Sequence, residues 1–247
     1  MKLSVVIPAF NEVTRILPTL ARILSYMDQH HPDYEVIIVD DGSTDGTAAA
    51  IAKQFGACPQ LRVLSYGGNR GKGYAVRYGA LRASAELVLM SDADLSTPIE
   101  EMEKMLPLLE QGYDLAIGSR ALAQSEIREH QPFYRESGGK FFNVLVRLLL
   151  LRQFHDTQCG FKLFRRDALL PVLGHQQIDG FAFDVEMIAL AQGLGLKVVE
   201  VPVVWINSPS SRVRMSAALR AFVDLLYIRK RVRSAWREPQ DGDSARH

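Results

Sequence analysis

Cysteine is scarce: Cys58 and Cys159 are the only two in 247 residues. That is too few for a disulfide framework and indicates a reducing, cytosolic setting. Neither sign of charge dominates. Twenty-nine Lys and Arg stand against 28 Asp and Glu, a formal net charge of +1, which argues against a nucleic-acid partner and leaves any basic patch local. Long apolar runs are missing as well. The opening MKLSVVIPAFNE turns polar too soon for a signal peptide, and no later stretch reaches the roughly 18 apolar residues of a spanning helix. Contact with a membrane would be peripheral, on its cytoplasmic face. There is no internal repeat and no Pro/Gly/Ser-rich linker, so one domain over residues 1–235 and a polar tail at 236–247 is the economical division. A homo-oligomer is compatible with this composition.

What is present is 47% hydrophobic residues, enough for one substantial core, and they are arranged in alternation. Five short β-rich runs (LSVVIPA, YEVIIVDD, LRVLSY, ELVLMSDAD, YDLAIGSR) alternate with four segments of helical period at Arg15 to His30, Thr44 to Phe55, Tyr74 to Ala85 and Glu100 to Gln111. Near-continuous apolar strands separated by helices indicate an α/β fold with a mostly parallel sheet flanked by helices. Ligands of such sheets bind outside the carboxyl ends of the strands, which directs attention to the polar residues ending each run. Beyond Arg120 the pattern changes to an apolar helix from about Phe141 to Leu151, a short FKLF strand, a helix near Phe183 to Ala191 and a strand at KVVEVPVVW. Residues 1–120 and 121–235 thus read as two halves of one domain.

Ser91-Asp92-Ala93-Asp94 closes one strand, where alternate residues can present two carboxylates to a hard cation completed by water and substrate phosphates. A capped turn is the plain alternative. In VDDGSTDGT, Asp41 can accept hydrogen bonds from a base or ribose, while Ser43 or Asp45 caps the following helix. The segment GGNRGKGYAVRYG sets glycines, Arg70 and Lys72 before a helix, either as an anion cradle or as a surface turn; its spacing is not the dinucleotide fingerprint.

Together, SVVIPAFNE, VDDGSTDGT, NRGKGYAVRYG, SDADLSTP and IGSR resemble the family 2 glycosyltransferases of the GT-A fold. DTQCGFKLFRRD, FAFDVEMIALAQ and VVEVPVVW are similar to the branch that makes polyprenyl- or dolichyl-phosphate sugars, especially the dolichyl-phosphate β-glucosyltransferases, with the dolichyl-phosphate mannose synthases as further relatives. The resemblance implies a nucleotide-sugar site of Pro8, Phe10, Glu12, Val39, Asp41, Lys72, Asp92, Ala93 and Asp94. It also implies Mg²⁺ or Mn²⁺ on Asp92 and Asp94. Ser96 stands where mannosyl relatives place a metal-binding glutamine and is a candidate third ligand. Arg120, Arg135 and Arg212, the last in a basic loop with Arg214, match phosphate- and acceptor-contacting arginines. Asp156 takes the catalytic position, as base or organiser; Asp184 and Glu186 read as structural or as supports behind the site.

The implied reaction is one in-line displacement with inversion, moving a hexose to a lipid phosphate. UDP-glucose is the first donor choice. GDP-mannose, a soluble saccharide acceptor, or a non-catalytic nucleotide-sugar-binding module are the alternatives. The helix from Phe141 to Leu151 and the basic amphipathic segment AALRAFVDLLYIRKRVRSAWR are expected to lie on the membrane surface.

Overall fold

A computed structural model describes residues 2–129, 133–207 and 215–235, with side chains for all of these except 133–135, 215–219 and 233–235. The described strands are β1 (Leu3–Ala9), β2 (Tyr34–Asp40), β3 (Leu61–Ser65), β4 (Leu87–Met90), β5 (Leu115–Ser119), β6 (Glu126–Glu129), β7 (Lys162–Arg165), β8 (Val198–Pro202) and β9 (Val204–Ile206). Seven form one sheet in the order β3-β2-β1-β4-β7-β5-β8, and β6 pairs with β9 in a small second sheet. Every pairing in the large sheet is parallel except those of β7, which runs antiparallel to both β4 and β5.

The described α-helices are α1 (Val13–His30), α2 (Thr47–Phe55), α3 (Lys72–Ala80), α4 (Leu106–Glu110), α5 (Phe133–Leu149), α6 (Arg166–His175), α7 (Phe183–Gly193) and α8 (Met215–Ala235). Strand residues alternate between two cores, as the period of two requires. Val5, Ile7, Val36 and Ile38 pack with Ile16, Leu20 and Ile23 of α1. Val6, Ile37, Val39 and Val88 pack on the opposite face with α3 and α7.

Several boundaries differ from expectation for local reasons. The helix expected from Glu100 to Gln111 divides into a 3-10 turn at Ile99–Lys104 and the short α4, because Pro107 in the first turn of α4 has no N–H to carry a helix through from upstream. α2 begins at Thr47 rather than Thr44, since Gly46 before it adopts φ +86°. The KVVEVPVVW strand divides into β8 and β9, which pair with different partners, β5 and β6.

α3 lies so close to the sheet that a methyl group on Gly79 would sit 2.6 Å from Val39 Cγ2 and 2.7 Å from Val6 Cγ1. Gly79→Ala is therefore expected to destabilise the protein by about 1–3 kcal/mol through overpacking, despite alanine's better helix propensity of about 1 kcal/mol. Urea unfolding of the variant checks this; an unchanged or higher midpoint contradicts the packing.

α5 is half in the core. Phe142 and Val146 are buried with the face of α8 that carries Leu225 and Ile228, whereas Phe141, Val144 and Leu148 remain 59%, 48% and 64% exposed. On α8, Val223 and Leu226 are likewise exposed. Among the described residues, no helix is long and apolar enough to cross a membrane.

Candidate active site

The carboxyl ends of β1, β2, β4 and β5 open on one edge, and the chain builds its polar cluster there. At the end of β1, Asn11 takes φ +56°, a left-handed conformation that asparagine tolerates. Its side chain accepts from Thr44 N–H at 2.7 Å, while Ser43 accepts the Asn11 N–H at 2.9 Å. Asp45 and Thr47 accept the N–H groups of Val13 and Glu12 at the start of α1. The loop after β2 thus caps a helix that precedes it, and Asp45 is the structural acid of that loop.

Asp41 is buried and holds the 66–71 turn: its carboxylate accepts from Tyr66 Oη (2.9 Å), Asn69 Nδ2 (2.9 Å), Arg70 N–H (2.7 Å) and Gly71 N–H (2.9 Å). The N–H groups of Gly73 and Tyr74 donate to the Asp179 carbonyl. The anion-cradle alternative for this segment therefore gives way: four of its amide N–H groups are committed to protein acceptors. What the segment sends to the edge is Lys72, whose ammonium lies 2.6 Å from Asp92 Oδ1.

Asp92 and Asp94 follow β4, with Leu95 beside them at φ +48°, a strained conformation of the kind that gathers at functional sites. Burial disfavours both charges, but the two differ in company. Lys72, then Lys162 and Arg120, outweigh burial at Asp92 and hold it below the usual carboxylate range. At Asp94, burial and the Asp92 charge prevail and push it up, against Ser96 and Arg15. Ser96 donates its N–H to Asp94 Oδ1 at 3.1 Å, so here it supports that carboxylate. Arg15 lies 3.5 Å from Asp94 Oδ2 and pairs closely with Glu12. Ala93 is buried, its carbonyl accepting from Thr19 Oγ1 at 2.8 Å. Gly160 passes so near Asp92 that any Cβ there would run into the carboxylate.

The second centre is Arg120, immediately beyond β5. Its backbone N–H (3.0 Å) and Nε (2.6 Å) donate to Asp156 Oδ2, and its Nη2 donates to Oδ1 at 2.9 Å. The Trp205 ring lies 5.7 Å from the guanidinium carbon, within cation–π range. Burial alone would raise the Asp156 pKa, but the Arg120 charge and hydrogen bonds outweigh it and bring it down to about 2. Of the two roles expected for Asp156, base or organiser, its 1% exposure and its bonds to arginine favour the organiser, since a buried, paired carboxylate has little access to a proton near neutral pH. It is the organiser of Arg120. Glu200 in turn fixes the peptide of Asp156, accepting its N–H at 2.8 Å and that of His155 at 2.9 Å.

Other expected residues fall less centrally. Pro8 stands beside Val39 in the β1–β2 register, but the Val39 side chain is wholly buried against Gly79, so it lines the core rather than an open base pocket. Phe10 is exposed at the edge. Arg135 belongs to the first turn of α5, and Arg212 and Arg214 lie outside the described residues. Arg15, Lys162, Gly160 and Trp205 were not expected at the site. Lys162 is 1% exposed and paired with Asp184 of α7.

The mostly parallel sheet flanked by helices, with a paired-carboxylate turn and an anchored guanidinium at its carboxyl edge, shares the GT-A fold of the solved structures given below. The chain belongs to glycosyl transferase family 2, whose model matches residues 4–172. It is 36% identical to the dolichyl-phosphate beta-glucosyltransferase of Mus musculus over 97% of this chain and 78% of that one. With the Saccharomyces cerevisiae protein of the same name it shares 35% identity over 92% of this chain and 74% of that one. Among solved structures, glucosyl-3-phosphoglycerate synthase from Mycobacterium tuberculosis superposes with a TM-score of 0.71 at 18% identity, covering 93% of this chain and 80% of that one. Mannosyl-3-phosphoglycerate synthase from Rubrobacter xylanophilus gives 0.70 at 20% identity, covering 100% and 79%. These structural likenesses establish the fold.

Proposed function

We propose that this chain transfers glucose from UDP-glucose to a dolichyl or other polyprenyl phosphate, with inversion, at a membrane surface. The observation that carries the reading is similarity along both halves: relatives named dolichyl-phosphate beta-glucosyltransferase match over 90% or more of the chain in mouse, human and yeast. The site geometry supports it. Arg120, oriented by Asp156 and stacked toward Trp205, is a fixed cation for phosphate oxygens. An acceptor phosphate is already ionised near neutral pH, so placement rather than deprotonation is what the protein must supply.

Asp92 and Asp94 are hard oxygen donors suited to Mg²⁺ or Mn²⁺. Among the described residues no group of three His, Cys, Asp or Glu is placed to hold a metal ion, so diphosphate oxygens and water would have to complete the coordination of any cation on Asp92 and Asp94. When bound it would neutralise the departing diphosphate. The M. tuberculosis synthase has been crystallised with Mn²⁺, UDP-glucose and phosphoglyceric acid, and with Mg²⁺ and UDP.

The exposed apolar residues of α5 and α8 supply the membrane contact, with Lys230 exposed on α8 to meet anionic lipid at about 1 kcal/mol per cation. Incubation with UDP-glucose and a panel of acceptors tests the reading: glucose is expected on polyprenyl phosphates and not on free saccharides. The folded protein is expected to float with anionic, polyprenyl-phosphate-containing vesicles, and Val144→Asp with Leu148→Asp to reduce flotation at least about five-fold, roughly 1 kcal/mol. Transfer only to soluble saccharides, without flotation, would replace the lipid acceptor by a soluble one.

A further inference from the structure

The first turn of α3, which delivers Lys72 to Asp92 and Gly71 to Asp41, is clamped by the segment between α6 and α7. The Asp179 carbonyl accepts from Gly73 N–H at 2.8 Å and Tyr74 N–H at 3.3 Å. Gln176, fully buried, donates from Nε2 to the Gly73 carbonyl at 3.1 Å. Gly71, at φ +109°, has no room for a Cβ against the Asp179 carbonyl, and a Cβ on Gly73 would lie 2.5 Å from the Ile178 carbonyl oxygen. The turn and the clamp are therefore packed backbone against backbone.

The clamp is itself held from α7 and α8. Glu186, 1% exposed, accepts from Gln177 N–H at 3.0 Å and Ile178 N–H at 2.7 Å through Oε2, and from Arg231 Nη1 at 2.9 Å through Oε1. Arg231 Nη2 reaches the His175 carbonyl at 3.1 Å, and Tyr227 Oη donates to Gln177 Oε1 at 2.6 Å. These three donors satisfy a carboxylate that would be costly to bury without them, so the segment and Arg231 are tied to it. Its bonds run in one direction, from α8 through residues 175–179 to the turn that sets Lys72.

We propose that Glu186 and Arg231 are positioning residues for the nucleotide-sugar donor, holding the 175–180 segment so that Lys72 and the Gly71 turn meet Asp92 and Asp41. This rests on the donor reading above. Neither residue touches the site directly, so each acts on donor affinity rather than on the transfer step. A consequence is reciprocal: α8 carries exposed apolar residues outward and the clamp inward, so whatever shifts α8 shifts donor affinity.

The test combines UDP titration with Mg²⁺ by calorimetry, hydrogen exchange of the 71–74 amides, and steady-state kinetics. The variants are Arg231→Met, Arg231→Lys and Glu186→Ala, each confirmed as folded by circular dichroism. Arg231→Met is expected to weaken UDP binding about 5–10-fold and raise KM for UDP-glucose similarly, with kcat within two-fold and faster exchange at 71–74. Arg231→Lys restores part of the affinity by keeping the Glu186 pair. In Lys72→Met, Arg231→Met is expected to add less than two-fold, because the group it positions is gone. Unchanged UDP affinity and unchanged exchange in folded Arg231→Met and Glu186→Ala would overturn the proposal, as would a fall in kcat at constant KM. A parent that binds no UDP, with exchange still faster in Arg231→Met, would overturn the donor reading and with it the clamp's role in donor placement.

Discussion

Asp92→Asn and Asp94→Asn are each expected to lower glucosyl transfer at least about a thousand-fold, since several kcal/mol of charge stabilisation at the diphosphate would be lost and each 1.36 kcal/mol is a factor of ten. The two losses differ in character. Asp92 also holds Lys72 at 2.6 Å, so its amide weakens metal binding and releases the lysine together. Asp94 leans on Ser96 and Arg15, and its amide leaves Lys72 in place. Radiolabelled transfer to a polyprenyl phosphate in saturating Mg²⁺ or Mn²⁺ measures both. Turnover within a few-fold of the parent would remove these residues from metal binding.

Asp156→Asn is expected to reduce transfer about 10²–10³-fold, the range for losing one pre-organised stabilising group, because an amide cannot present two anionic oxygens to the Arg120 fork. If Asp156 works through Arg120, the Asp156→Asn and Arg120→Met losses do not multiply, and the double variant is scarcely slower than the worse single one. Multiplying losses would instead assign Asp156 its own contact with the reacting groups. Stability carries a second signature. The folded-state pKa, about 2, lies below the ordinary 3.8, so the contribution is fully present above pH ~4 and fades as the pH falls through about 2. At about 1.36 kcal/mol per unit it amounts to roughly 2 kcal/mol. Asp156→Asn should flatten that part of the acid-unfolding curve.

The parallel strands could be read from the sequence because strands buried on both faces are mostly apolar: YEVIIVD is buried at all seven positions, with its Glu35 bonded to Ser4, Arg62 and Ser84. Asp92 and Asp94, two and four residues beyond β4, and Arg120, next after β5, were legible by position as strand-end residues. Roles set by distant partners were not. Asp156 meets Arg120 across 36 residues and Lys162 meets Asp184 across 22, so neither pairing has a local pattern, and in sequence alone Asp156 stays open between base and organiser. The direction of the Val39 side chain was not legible for a related reason: a residue near a strand end points to core or to ligand according to the helix packed on it, here α3 with its glycine at position 79. Arg15 went unnoticed because an arginine three residues after a glutamate reads as an ordinary pair on a helix surface.

The position of β7 bears on how the chain is made. Five sheet strands are synthesised by Ser119, yet β4 and β5 are not neighbours, and the place between them is filled only by Lys162–Arg165. A nascent chain stopped near residue 120 would carry two unsatisfied strand edges facing a gap one strand wide, a species prone to self-association. Vectorial synthesis should therefore give protease resistance only after about residue 165 has left the ribosome. Fragments cut between β5 and β7 should regain structure on mixing, while neither does so alone.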